Sequence, residues 1–146
     1  MNLRRFLACD LGAESGRTVL GSLEDGRLTL EEISRFPNEP VEVNQTLYWD
    51  VLSLYNHLLK GLREYQGRFG AEIDGIGIDT WGVDFGLLAK NGDLLQNPIH
   101  YRDRRTQGMI EEASSRIAPR YLFQLTGMSL LLINSLFQLL SLHVNK

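Results

Sequence analysis

The sequence of 146 residues has very little cysteine and only three histidines. The single cysteine, Cys9, excludes an intramolecular disulfide and is typical of a protein from a reducing cytoplasm. His57, His100 and His143 show no metal-ligand spacing with it, which argues against a zinc site. Because Cys9 lies in a short apolar run, we expect a buried, unreactive thiol.

The sequence also lacks an excess of charge of one sign. Its 15 basic and 18 acidic residues give a net charge of −3, which argues against nucleic acid or an anionic membrane as the main partner. We expect no signal peptide, since the apolar stretch near the N-terminus is short. The most apolar segment, 128–144, is shorter than the ~20 residues of a membrane span, and we expect it to form a buried helix.

Strand patterns dominate the N-terminal part of the sequence. Three apolar or alternating runs, 6–11, 17–23 and 28–36, predict strands. A glycine turn separates the first two, and the dipeptide Asp25-Gly26, a typical hairpin turn, separates the second from the third. The three strands should therefore pair in antiparallel fashion.

A helix is predicted next. The residues 37–46 have the composition of a polar loop, and Asp50 suits the N-cap of a helix that begins at Val51. Leucine and tyrosine side chains recur at helical spacing after it, and Gly67 and Gly70 end the predicted helix.

The second half predicts strands and short helices. The glycine-rich run 73–79 suggests a central strand, and 83–88 a further strand before the Asn91-Gly92 turn. Thr106 suits the cap of a helix that ends near residue 117, and Pro119 suits the start of another.

This order of elements predicts an α/β fold. Three antiparallel strands, a helix and a glycine-rich strand are the opening of a ribonuclease-H-like or actin-like domain. The helix-linked strands that usually complete the sheet do not follow in 1–146. We therefore expect a partial domain with an incomplete sheet, whose exposed edge tends to associate.

The turn after the first strand has the composition of a phosphate-binding loop. Gly12 and Gly16 bracket it, and glycine lets backbone N–H groups approach a phosphate closely. Ser15 adds a hydroxyl group and Arg17 a cation. Glu14 should point to solvent, because a carboxylate repels phosphate. There is no Walker motif, so an ordinary hairpin turn is the alternative.

Asp10 ends the first strand and suggests a metal. A carboxylate can serve a phosphate site through Mg²⁺ or through a water bound to it. In a second hypothesis Asp10 and Asp79 bind two metal ions in a ribonuclease-H-like nuclease. The net negative charge and the lack of a basic stripe argue against the nuclease.

Two further clusters combine an aromatic ring with polar groups. Trp81, Gly82 and Asp84 offer a stacking face, an exposed N–H and an acceptor, a mixture found in carbohydrate pockets. Tyr101 and Arg102 belong to a charged segment that suits a polyol. The alternatives are a core tryptophan with turn-capping aspartates, and a solvated ion-pair loop.

Three segments, 8–17, 77–85 and 97–106, resemble the N-terminal part of the rhamnulokinase family, within the FGGY carbohydrate kinases. The resemblance covers nearly the whole chain, and its most specific element is Asp-Thr-Trp-Gly-Val-Asp-Phe at 79–85. It implies phosphorylation of L-rhamnulose at its 1-hydroxyl with ATP and Mg²⁺, in the cytoplasm, with no nucleic acid or membrane as partner.

The resemblance also implies roles for residues. The backbone of Gly82 would contact the sugar, and Asp10 would lie near the metal and the phosphates. The residues that would contact the ATP phosphates are Ala13, Glu14, Ser15, Gly16 and Arg17.

Members of the family are far longer than this chain, and their general base is an aspartate beyond the position that matches Lys146. We therefore expect no catalytic residue in 1–146 and no kinase activity of the chain alone. The chain also departs from the family at Leu132, where a proline is usual. A third hypothesis is a non-catalytic module that binds a partner through its sheet edge.

Overall fold

The computed structural model describes residues 3–145. Those residues form two compact units. Unit 1 consists of the residues before Pro40 together with Asp50–Gly82, and unit 2 consists of Pro40–Trp49 and the residues after Gly82.

The strands are β1 (Arg4–Leu11), β2 (Ser15–Glu24), β3 (Arg27–Pro37), β4 (Val41–Val43), β5 (Thr46–Tyr48) and β6 (Gly75–Thr80). The α-helices are α1 (Val51–Phe69), α2 (Met109–Arg116), α3 (Pro119–Thr126) and α4 (Ser135–Val144), and a 3-10 turn spans Arg104–Thr106.

Unit 1 contains a four-stranded sheet in the order β3-β2-β1-β6. The pairs β1–β2 and β2–β3 are antiparallel, as predicted, while β1 and β6 are parallel. The prediction of a central strand at 73–79 was wrong for this chain. Among the described residues no strand pairs with the outer side of β6, so Ile78 is 66% exposed at the edge of the sheet.

Helix α1 packs on this sheet, against β2 and β3. Its predicted cap is confirmed, because the Asp50 carboxylate accepts a hydrogen bond of 3.0 Å from the Ser53 N–H. Gly61 permits the close approach, since a Cβ at this position would lie 2.2 Å from the Thr18 hydroxyl oxygen. The core of unit 1 consists of Leu7, Leu20, Ile33 and Tyr65. Cys9 is buried as predicted, which raises the pKa of its thiol.

Unit 2 differs from the predictions in its strands. The predicted loop 37–46 contains β4, which pairs with β5 across a tight turn where Asn44 and Gln45 have positive φ values of 49° and 67°. The dipeptide Asn-Gln is a weak hairpin indicator, so the pattern did not reveal this hairpin. No strand forms at 83–88: Val83 has a φ of 68°, outside the extended region, and only Leu88 makes an isolated bridge, to Leu94.

The helices of unit 2 correct two further predictions. Thr106 does not cap α2; it ends the 3-10 turn, and the N-cap is Gly108, whose φ of 78° favours glycine. The segment 128–144 is helical only from Ser135, and α4 buries Gln138 along with Phe137. Helix α3 begins at Pro119, as predicted. Within 3–145, no helix is long and apolar enough to cross a membrane.

Candidate functional site

The register of unit 1 places four charged side chains in one row across the sheet. Asp79 on β6 is paired with Asp10 on β1, Asp10 with Arg17 on β2, and Arg17 with Arg35 on β3. Residues paired in this way point to the same face of a sheet. The row therefore presents two carboxylates and two guanidinium groups in the order −, −, +, +, beside the predicted phosphate loop.

Asp10 and Arg17 form an ion pair within this row. The Nη2 atom of Arg17 lies 2.7 Å from Oδ2 of Asp10, and the Nε atom donates to the same oxygen at 2.8 Å. Both side chains are more than 40% exposed, so the pair is screened by solvent and contributes little to stability. Sequence reasoning gave these two residues separate roles and missed the contact between them.

The turn between β1 and β2 is closed by its own backbone. The N–H of Gly12 donates to the Ser15 carbonyl at 2.9 Å, and a Cβ on Gly12 would lie 2.8 Å from that oxygen. Among the described residues, the N–H groups of Ala13 and Glu14 have no backbone acceptor. They are therefore available to an anion, and the Glu14 side chain is exposed, as predicted.

Asn38 fixes the other side of this turn. Its Nδ2 donates to the Gly12 carbonyl at 2.9 Å, and its backbone N–H donates to the Glu14 carbonyl at 3.0 Å. The side chain is only 6% exposed. Asn38 lies 26 residues from Gly12 along the chain, so no local pattern could have identified it.

Gly16 is required by packing. A Cβ at this position would lie 2.2 Å from Cζ of Phe36, whose ring is buried and stacks on His57 with 4.3 Å between centroids. The sequence interpretation attributed this glycine to the approach of phosphate. The structure shows that the ring of Phe36 alone would exclude any side chain there.

Unit 2 contains a stack of aromatic rings. The Trp49 indole lies 4.2 Å from the His100 ring, and His100 lies 4.5 Å from the Tyr101 ring. The guanidinium of Arg102 covers Tyr101 at 5.2 Å. Trp49 is 1% exposed, and its Nε1–H donates to the Asp84 carboxylate at 2.7 Å. The stack thus brings together the three predicted sugar-site residues of unit 2: Asp84, Tyr101 and Arg102.

His100 lies in the middle of this stack. Burial lowers the pKa of its imidazole, and the nearby carboxylates of Asp84 and Asp103 only partly oppose this effect. The Nδ1 atom accepts a hydrogen bond of 2.9 Å from the Arg102 N–H, so it carries no proton. Sequence analysis assigned His100 no separate role.

The charged segment after His100 is partly buried, which its composition did not predict. Asp103 is 4% exposed and accepts hydrogen bonds of 2.9 Å from the N–H groups of Leu47 and Arg105. Burial lowers the pKa of the Arg105 guanidinium, which the carboxylates of Asp103 and Asp84 oppose. The alternative of a wholly solvated ion-pair loop is therefore wrong for this segment.

The predicted site residues fall into two groups. Asp10, the loop from Ala13 to Arg17, Trp81 and Gly82 belong to unit 1, while Asp84, Tyr101 and Arg102 belong to unit 2. Trp81 is half-buried, which is less than a core tryptophan would be, and Gly82 is exposed. The structure brings residues together within each unit: the charged row and turn in one, the aromatic stack in the other.

Comparisons with known proteins agree with the sequence resemblance. The model of the FGGY family of carbohydrate kinases, N-terminal domain, matches residues 5–146. A rhamnulokinase of Bacteroides thetaiotaomicron is 51% identical over 142 residues, which are 97% of this chain and 29% of that protein. A rhamnulokinase of Klebsiella pneumoniae is 43% identical over 144 residues, again 97% and 29%. The chain thus spans about 29% of the length of these curated relatives.

Solved structures confirm the predicted actin-like α/β fold. The gluconate kinase from Lactobacillus acidophilus superposes with a TM-score of 0.81 at 16% identity, covering 98% of this chain and 29% of that one. The glycerol kinase of Plasmodium falciparum with ADP gives 0.74 at 19% identity, covering 99% and 29%.

The nuclease hypothesis has no support from these comparisons. Every relative and structure named above is a carbohydrate kinase. Because the model of its N-terminal domain matches residues 5–146, this chain belongs to the FGGY family of carbohydrate kinases.

Proposed function

We propose that this chain provides the phosphate-binding loop and part of the sugar site of a cytoplasmic L-rhamnulose kinase. The reaction transfers the γ-phosphoryl group of ATP to the 1-hydroxyl of L-rhamnulose. The observation that carries the proposal is the 51% identity, over 97% of the chain, to a protein named as a rhamnulokinase. The geometry supports it, because unit 1 presents groups suited to phosphates in its first turn, and Trp81, Gly82 and the aromatic stack of unit 2 present groups suited to a sugar.

The turn of unit 1 is suited to the phosphates of ATP. The N–H groups of Ala13 and Glu14 lack backbone acceptors among the described residues, and Ser15 adds its hydroxyl group. Gly16 keeps the start of β2 free of a side chain, and Arg17 supplies a cation that is already exposed. An exposed cation next to free N–H groups favours an anion with several oxygens.

Asp10 and Asp79 fit a magnesium site that is completed by the substrate. Mg²⁺ in kinases is usually held by one or two carboxylates together with phosphate oxygens and waters. The register places these two carboxylates side by side on β1 and β6. Mg²⁺ held there would neutralise negative charge on the transferring phosphoryl group. Arg17 already offsets the charge of Asp10 through their ion pair.

The aromatic and polar residues around the second and third sequence clusters are suited to the sugar. Trp81 is half-buried and offers a ring face, and the exposed Gly82 offers its backbone N–H. In unit 2, the Asp84 carboxylate accepts a hydrogen bond from Trp49, and the guanidinium of Arg102 lies over the Tyr101 ring. Carboxylate, phenol and guanidinium groups are suitable partners for sugar hydroxyls.

The proton of the sugar hydroxyl has no acceptor among the residues to which we assign roles. Asp10 and Asp79 are assigned to the metal, Asp10 also pairs with Arg17, and Asp84 accepts from Trp49. General-base catalysis needs a carboxylate within hydrogen-bond reach of the reacting hydroxyl. We therefore expect the chain of 146 residues, assayed alone, to give no turnover.

A chimeric enzyme tests the proposal. Residues 5–146 replace the matching part of the Bacteroides thetaiotaomicron rhamnulokinase, and ADP release is measured with ATP, Mg²⁺ and L-rhamnulose. We expect L-rhamnulose-dependent turnover above that with glycerol or xylulose. A folded chimera with no turnover on L-rhamnulose, or with a preference for another substrate, contradicts the proposal.

Asp10→Asn in the same chimera tests the role of the metal ligand, and Asp25→Asn is its matched control. Asp10→Asn keeps the size of the side chain and removes the charge that Mg²⁺ needs. We expect turnover to fall at least about 100-fold, in the range of lost electrostatic stabilisation at a reacting phosphate. Asp25→Asn, in the β2–β3 turn far along the hairpin, should leave turnover unchanged.

A further inference from the structure

Val83, the first residue of the second segment of unit 2, has an unusual backbone conformation. Its φ is +68°, in the left-handed region that favours glycine. A β-branched residue there is a conformational outlier that persists only where its surroundings hold it. Such strain is often found at binding and catalytic sites, and Val83 directly precedes Asp84.

Helix α4 holds the carbonyl group of Val83. The Nε2 atom of Gln138 donates to this oxygen at 3.0 Å, and the Ser135 hydroxyl donates to it at 3.2 Å. Gln138 is 0% exposed, whereas Ser135 is exposed. The bond from Gln138 is therefore the stronger of the two, because it lies away from competing water.

The side chain of Gln138 is itself fixed by two further hydrogen bonds. Its Oε1 atom accepts from Nη2 of Arg105 at 2.6 Å, and Nε2 also donates to the Ile133 carbonyl at 2.8 Å. The bond from the guanidinium is charge-assisted and determines which end of the amide faces Val83. The buried amide of Gln138 thus makes three hydrogen bonds, which hold it rigidly against the Val83 carbonyl.

The conformation of Val83 determines where Asp84 lies. Asp84 follows it in the chain and accepts from the buried Trp49, which belongs to the same ring stack as Tyr101. A change of φ at Val83 would rotate the next peptide and move the Asp84 carboxylate away from the indole N–H.

We propose that Gln138 is a positioning residue for the sugar site of unit 2: it holds Val83 in the left-handed conformation and thereby sets the position of Asp84. The inference rests on the proposed function for its consequence, which is sugar binding. Its structural part concerns the backbone of Val83 and can be tested separately.

NMR spectroscopy of the chain of 146 residues tests both parts. The Cα and Cβ shifts of Val83 report its backbone conformation, and amide shifts of Asp84 and Tyr101 report titration with L-rhamnulose. In Gln138→Leu we expect Val83 to leave the left-handed region and L-rhamnulose to bind about tenfold more weakly, since coupled contacts of this kind give effects of that size. The control is Ser141→Ala, which alters a buried residue of α4 whose hydroxyl donates to the backbone carbonyl of Gln138 and leaves the bonds to the Val83 carbonyl in place.

Val83→Gly makes the test specific, because glycine adopts the left-handed conformation without support. In that background we expect Gln138→Leu to weaken L-rhamnulose binding by no more than about threefold, as the two effects are not additive. The inference is overturned if Gln138→Leu lowers the affinity for L-rhamnulose equally with valine and with glycine at position 83. It is also overturned if Val83 stays left-handed in a folded Gln138→Leu variant.

Two further results have a defined meaning. If the unaltered chain shows no shifts with L-rhamnulose, the proposed function fails for this chain, and the conformation of Val83 still decides the inference. If Gln138→Leu does not fold, Gln138→Glu decides it, because a carboxylate accepts from Arg105 but cannot donate to Val83. A left-handed Val83 in Gln138→Glu overturns the inference, and its loss supports it.

Discussion

In unit 1 sheet register places the charged side chains to which we assign roles, whereas in unit 2 buried hydrogen bonds place them. Asp10 and Arg17 face each other because β1 and β2 pair at these residues. Asp84 accepts a hydrogen bond from Trp49, whose ring also contacts Tyr101. Asp103 accepts from the Leu47 N–H, and Gln138 donates to the Val83 carbonyl. The first arrangement follows from strand pairing, and the second depends on a few individual side chains. Single substitutions should therefore affect the two units differently.

The largest effect is expected for Asp103→Ala in unit 2. The change removes a buried carboxylate, so the N–H groups of Leu47 and Arg105 lose their acceptor. We expect the free energy of unfolding to fall by about 3 kcal/mol. Hydrogen exchange followed by mass spectrometry should show faster exchange in unit 2 and little change in β1.

The comparison is Asp74→Ala in unit 1. Asp74 also accepts from a backbone N–H, that of Arg5 at 2.7 Å, but its side chain is 35% exposed, so water can replace it. We expect a smaller loss of stability. Equal losses for Asp74→Ala and Asp103→Ala would remove the distinction between the two units.

Gly16→Ala is the change to which unit 1 should be most sensitive. The new methyl group would lie 2.2 Å from the ring of Phe36, and overpacking of this kind costs about 2 kcal/mol. Urea unfolding measures the loss. In a Phe36→Leu background the same substitution should cost clearly less, because the ring atom is gone; the same cost in both backgrounds would show that the steric account is wrong.

A drop in pH should weaken unit 2 before unit 1. Burial holds the pKa of His100 below its ordinary value of 6.5, so the unfolded chain binds a proton more readily than the folded one. The stability of unit 2 is then complete above pH 6.5 and falls as the pH decreases below it. Protonation would also remove the Nδ1 acceptor of the Arg102 N–H.

In unit 1 the corresponding group is Asp74, whose pKa is lowered from 3.8 chiefly by the hydrogen bond from Arg5. Its contribution is therefore lost only as the pH falls below 3.8. Unfolding monitored by hydrogen exchange at pH 7.5 and pH 5 should show the difference, and His100→Gln should abolish it in unit 2. An unchanged difference in His100→Gln would assign the effect to another group.

The smallest effect on stability is expected for Arg17→Gln. The pair with Asp10 is exposed, and such pairs contribute less than about 1 kcal/mol. Binding of ATP with Mg²⁺ should nevertheless weaken, because a cation is lost at the phosphate loop. Arg35→Gln, one strand further along the same row, is the control and should weaken ATP binding less; a reversed order would contradict the role of Arg17.

The comparison also shows which features the sequence could predict. The strands β1, β2 and β3, the Asp50 cap and the glycine turn depend on residues close together in the chain, and these predictions were confirmed. The row of charged side chains could have been predicted from the sequence once the register of the strands was known. Asn38 and Gln138 act on carbonyl groups 26 and 55 residues away, and a buried glutamine in an apolar helix has no distinguishing pattern. These contacts depend on tertiary packing, which propensity does not encode.

The most direct test of the account is whether the turn of unit 1 and the aromatic stack of unit 2 serve different substrates. In the active chimera, Asn38→Ala removes the side-chain bond to the phosphate-loop turn, and Gln138→Leu removes the bond to Val83. The KM for ATP and the KM for L-rhamnulose are measured for both variants. We predict that Asn38→Ala raises mainly the KM for ATP, and Gln138→Leu mainly the KM for L-rhamnulose. Equal increases in both constants for both variants would contradict the account.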